Sequence, residues 1–253
     1  MRLSSALVVA AVLCATATIV SPARAVSPVP VTFGATWDGP SHTLQSVVDD
    51  YLGVPGALNV HTDFIGAHAG DEDAWFWVGN SIPALLITEI AGNANTNLLG
   101  WYQETGVTPV IDGVDDGVVF VGAQGADASV VLTVPSGTTK FGFYLDPTPG
   151  GPAGHERFFT NRFLNDLGPF GGGAAHAPFD GDVQAIVFDV SRWKGANTWL
   201  VCFEDLDAGM AIGPCCTGTD ADYNDMVFQV TALGATPTRT LSFGELKTRY
   251  SGR

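Results

Sequence analysis

Short apolar runs separated by Gly, Pro, Asn and Asp dominate this chain, and one early segment breaks the pattern. Within 41–53, Leu44, Val47, Val48 and Tyr51 recur at helical spacing, and Ser41 stands where a cap belongs. A short helix is predicted there. Strands are predicted over 57–61, 74–79, 84–91, 97–103, 117–122, 129–134, 140–145, 157–160, 184–190, 198–203 and 225–231. Turn-forming residues fill the gaps. Many short strands and almost no helix predict an all-β fold, an antiparallel β-sandwich or jelly roll with one short N-terminal helix. No clean linker and no internal repeat divides 26–235, so that span reads as a single domain.

The two ends differ from this body. Residues 1–25 carry Arg2, then an apolar run over 7–20, then Ala23-Arg24-Ala25, the pattern of a secretory signal cleaved before Val26. No later stretch is apolar and long enough to span a bilayer. The tail at 236–253 is basic, with Arg239, Lys247, Arg249 and Arg253. Phe243, Leu246 and Tyr250 fall on one face of a short predicted helix there, a pattern suited to docking.

Composition narrows the function classes. The formal charge is −15, and removal of Arg2 and Arg24 with the leader leaves 9 basic against 26 acidic residues, a net −17. Such a surface repels nucleic acid and anionic membrane and attracts divalent cations. Hydrophobic residues make up 46% and charged residues 15%, which is a folded composition rather than a disordered acidic one.

The acidic residues concentrate in one place. Glu204 and Asp205 end one predicted strand, and Asp220, Asp222, Asn224 and Asp225 precede the next. Five carboxylates around one loop repel each other unless a cation lies among them, and oxygen donors without His or Cys point to calcium. The stretch Asp220-x-Asp222-x-Asn224 opens like an EF-hand loop, but the sixth position is Asp225 rather than Gly and the twelfth is Thr231 rather than Glu. An EF-hand is therefore excluded. In an extended segment, Asp220, Asp222 and Asn224 would share one side while Tyr223 packs on the other.

The paired boxes Phe203-Glu204-Asp205-Leu206 and Asp222-Tyr223-Asn224-Asp225-Met226-Val227-Phe228 resemble the C-terminal signature of a bacterial secreted family, domain-of-unknown-function family forty-one fourteen. Asp73-Ala74-Trp75-Phe76-Trp77 and Phe141-Gly142-Phe143-Tyr144-Leu145-Asp146 extend the resemblance upstream. The resemblance implies a calcium-stabilised β domain without catalysis, at the cell surface or in extracellular matrix. Its implied ligands are Glu204, Asp205, Asp220, Asp222, Asn224 and Asp225, with Asp146 at a strand end added to the set. Relatives often end in a sorting signal with an apolar helix. This chain ends without an apolar span, so free secretion or tail-mediated attachment is expected.

Other features leave alternatives open. With the leader gone, Cys202, Cys215 and Cys216 remain, and an oxidising compartment favours a bridge from Cys202 to Cys215 or Cys216. An exposed Trp among Trp75, Trp77 and Trp101 could stack on a sugar, making the chain a carbohydrate-binding module for an extracellular glycan. A pair from the acidic cluster could instead serve as acid and base of a glycan hydrolase. A surface protein is a further candidate partner.

Overall fold

The computed structural model describes residues 31, 33–67, 74–105, 109–150, 157–165, 183–206 and 219–233. The predicted leader, the basic tail, Cys215 and Cys216 lie outside these residues.

Helix α1 runs over Leu44–Leu52, capped by Thr43, whose hydroxyl accepts from the Ser46 amide. Ser41, the expected cap, lies two residues too early. The helix stops at Gly53, which takes φ 72° and donates to the Asp49 carbonyl. Leu44, Val48 and Leu52 form its buried face, while Val47 and Tyr51 are half-buried at its flank.

The predicted strand at 57–61 is absent: that segment is a series of turns. Asn59 accounts for it, because its carbonyl accepts from the Thr62 and Asp63 amides and its side chain from His61. These local bonds compete successfully with a sheet ladder. Every predicted strand from 74 onward has a counterpart. These are β1 (Phe76–Trp77), β2 (Pro83–Glu89), β3 (Leu98–Gln103), β4 (Asp116–Val121), β5 (Ser129–Val131), β6 (Lys140–Asp146), β7 (Phe158–Phe159), β8 (Ala185–Asp189), β9 (Thr198–Phe203) and β10 (Met226–Thr231). Single-turn helices α2 (Arg162–Asn165) and α3 (Ser191–Lys194) are too short for periodicity to reveal.

The strands form two antiparallel sheets. Sheet A follows the order β1-β6-β3-β4, with β7 sharing the β1 edge of β6. Sheet B follows β5-β2-β10-β9-β8. One apolar cluster draws on both, including Leu99, Phe120 and Phe143 from sheet A and Val201, Phe203 and Phe228 from sheet B. The Phe228 ring meets Phe143 at 4.9 Å and Phe120 at 6.5 Å between centroids. A second cluster joins α1 to Ile186, Phe188, Leu200, Cys202 and Val227 of sheet B. In β10, Phe228 belongs to the first cluster and Val227 to the second, as strand alternation requires.

On sheet A, two tyrosines cover glycines directly across the ladder. Gly100 pairs with Tyr144, and Gly142 with Tyr102. A Cβ on Gly100 would lie 2.2 Å from the Tyr144 ring. Gly100→Ala is therefore expected to cost about 1–3 kcal/mol by displacing a buried ring. Phe228→Ala is expected to cost about 3–5 kcal/mol by opening a cavity between the sheets. Denaturant melts of both variants check these values.

Candidate metal centre

The site lies at one end of sheet B, where the start of β10 sits between the ends of β2 and β9. Met226 pairs with Phe203 on one side and Glu89 on the other. Continued one step past β9, the same register sets Glu204 opposite Asp225. The Asp205 amide donates to Asp225 Oδ2 at 2.7 Å, closing the hairpin end.

Glu204 is completely buried and anchors the loop that precedes β10. Its Oε1 accepts from the Thr219 hydroxyl at 2.8 Å, and its Oε2 from the Asp222 and Tyr223 amides at 3.1 and 3.4 Å. This loop is not the extended segment the sequence predicts. Ala221 and Tyr223 take φ 49° and 57°, left-handed conformations that L residues with side chains adopt at a cost of roughly 1–2 kcal/mol each. Asp222 Oδ1 accepts from the Asn224 amide at 3.1 Å, an Asx turn that favours this path over a strand. Tyr223 does pack away from the acids as expected, its hydroxyl donating to the Val183 carbonyl at 2.8 Å.

The irregular backbone decides which acids meet. Glu204, Asp222 and Asp225 can each offer one carboxylate oxygen, all within 4.8 Å of one another. Asn224 adjoins them, its Nδ2 donating to Asp222 Oδ2 at 2.7 Å, to Thr36 Oγ1 at 3.3 Å and to the His42 carbonyl. Its buried Oδ1 has no hydrogen-bond donor among the described residues. Asp220 is not one of the three; its Oδ2 accepts from the Trp37 amide at 3.0 Å, and its charge still adds to the upward shifts of Glu204 and Asp222. Asp205 faces Asn97, whose Nδ2 donates to its Oδ2 at 3.1 Å. Asp146 is outside the group of three: Arg157 pairs with its Oδ2 at 3.0 Å and the Thr148 amide donates to its Oδ1.

Residues 34–43 cover the loop. The Gly34 amide donates to the Ala221 carbonyl at 3.0 Å, and His42 lies just before the α1 cap. Asp222 and Thr36 also line a cavity of about 410 Å³ with Phe33, Leu44 and His61, which gives a small ion a route to the carboxylates.

Sequence reading missed Thr219, Asn97 and Glu89. Glu89 ends β2 beside Met226, and a lone acid closing an apolar strand was its only signal. Cys202 is buried in the second cluster and has no disulfide partner among the described residues, and burial pushes its thiol pKa well up. Trp101 is buried in the core and unsuited to stacking on a sugar. Trp77 is 42% exposed.

Among the described residues no Lys or Arg pairs with any of the five carboxylates; Arg157 is paired with Asp146 instead. Burial pushes Asp222 up to about 6 and Glu204 up to about 8, and neighbouring acids add to both shifts. Burial and the charges of Glu204 and Asp205 push Asp225 well up as well. The folded state thus retains protons that the unfolded chain releases near the ordinary carboxylate value of about 4. In EDTA, stability is therefore expected to fall as pH rises from about 4 through about 8. Thermal melts across that range check this; a flat or rising profile contradicts it.

Against models of protein families, curated proteins and solved structures, the chain has no match.

Proposed function

We propose that this chain is a secreted, non-catalytic, calcium-binding β domain, a two-sheet sandwich serving as a structural or adhesive module at a bacterial surface or in extracellular matrix. The observation that carries the reading is the buried trio Glu204, Asp222 and Asp225, with oxygens within 4.8 Å and no basic partner among the described residues. A calcium ion bonds oxygen at about 2.3–2.6 Å, so ligands across it lie about 5 Å apart or closer, as here. Carboxylates and an amide carbonyl are hard donors that suit calcium over zinc or copper. Asn224 Oδ1, a buried acceptor lacking a donor among the described residues, suits the same ion. Secretion and surface location rest on the leader pattern and on the resemblance to family forty-one fourteen.

The hydrolase alternative fits less well. A retaining glycosidase separates its carboxyl groups by about 5–5.5 Å and exposes them to substrate. Glu204, Asp222 and Asp225 are at most 7% exposed.

Calcium at ten times its dissociation constant is expected to add about 1.4 kcal/mol, raising the melting temperature by roughly 3–6 °C. EDTA reverses the gain. Glu204→Gln keeps the shape but removes a charge, so its calcium-free form is expected to melt no lower than wild type at pH 8 while the gain that this site draws from calcium is lost. Melting curves indifferent to both EDTA and calcium, for wild type and Glu204→Gln alike, overturn the reading.

A further inference from the structure

The cavity of about 410 Å³ beside Asp222 is larger than an ion needs. Pockets that take small organic ligands measure about 300–1,000 Å³. Leu44 and Val60 give this one an apolar wall. Two rings form a corner: Phe33 and His61 meet at 4.4 Å between centroids and at 84°. Phe64 at 6.2 Å and Tyr223 at 5.5 Å back the Phe33 ring and hold it in place. His61 is exposed, and neither ring nitrogen has a hydrogen-bond partner among the described residues. Thr43 accepts from the Ser46 amide, while its own hydroxyl hydrogen has no acceptor among the described residues.

Charge narrows the ligand class. The lining holds one carboxylate, Asp222, and no Lys or Arg, so phosphate, sulfate and carboxylate groups are repelled. Asp222 already accepts from the Asn224 amide, the Asn224 side chain and Thr36, which leaves it little to offer an ammonium group. A wholly apolar ligand would displace water from Thr43 and His61 without replacing its hydrogen bonds. A neutral sugar meets both demands, with a C–H face for the rings and hydroxyls for the polar groups.

We infer that this cavity binds a neutral saccharide, one sugar ring seated in the corner of Phe33 and His61 with hydroxyls towards Thr43. The loop that carries the trio builds two of its parts, since Asp222 lines the cavity and Tyr223 supports Phe33. An ion that fixes the loop therefore fixes the cavity as well. An adhesive module thereby gains a ligand class, and only this coupling rests on the calcium assignment.

Ligand-observed NMR on the full chain tests it, with the methyl glycosides of glucose, galactose, mannose and N-acetylglucosamine as probes at millimolar concentration. At least one is expected to show saturation transfer, and the methyl glycoside of galacturonic acid none. His61→Ala changes an exposed position and is expected to weaken binding roughly 3–10-fold, while Trp77→Ala leaves it unchanged. No transfer from any of the four, full binding retained by His61→Ala, or binding of the galacturonate as tight as that of the neutral sugars overturns the cavity as a saccharide site. Loss of binding in Trp77→Ala alone places the sugar on that ring and overturns it too. Calcium is expected to tighten binding of the same glycoside and EDTA to loosen it, with neither effect in Glu204→Gln. Binding indifferent to calcium, in a protein whose melts respond to it, overturns the coupling. Melts that ignore calcium while the glycoside binds at His61 remove the ion and leave the saccharide site standing; melts that respond with no glycoside bound do the reverse.

Discussion

Glu204 is the residue on which this end of the molecule depends. An ionised carboxylate removed from water costs several kcal/mol unless it is paired and hydrogen-bonded. Glu204 has the hydrogen bonds, from Thr219, Asp222 and Tyr223, but no basic partner among the described residues. Those bonds hold the loop in a path with two left-handed residues, and that path turns Asp222 back towards the strand ends. The same bonds therefore create the electrostatic problem that a cation would resolve. Without one, protons must take its place, which is why the buried acids titrate high.

The fold supplies the rigid surroundings this needs. Strand β10 is central in sheet B, with Phe228 locked against rings of both sheets and Val227 against the α1 layer. Its first residues cannot shift without disturbing both clusters. Residues 34–43 close the site from the helix side through Gly34, Trp37 and His42. The acids are thus held in a fixed frame, and an ion would stiffen the end of that frame rather than create it.

Helix α1 and the strands from 74 onward were legible because period and turn chemistry are local properties. The strand expected at 57–61 failed for a local reason too: Asn59 and Asp63 satisfy the backbone within the turn. In the acidic box, Glu204, Asp205, Asp220, Asp222, Asn224 and Asp225 were legible as one set across a single connection, with no sign of which three converge. Asp220 and Asp146 were placed with them by proximity in sequence and by strand position. The structure gives them other partners, the Trp37 amide and the Arg157 guanidinium.

By itself, then, the sequence determined the β class, the helix, the acidic chemistry and the hairpin that carries it, since each is written in neighbouring residues. Only the tertiary structure decided which acids converge. The left-handed turns at Ala221 and Tyr223 rotate the carboxylates out of strand phase, and no alternation pattern encodes that. Glu89 at the end of β2 and Asn97 just before β3 lie more than a hundred residues before Asp205 and come near it only because β2 pairs with β10 and β3 begins at the same end. Side chains so distant in sequence acquire a common electrostatic fate only once the sheets have assembled around them.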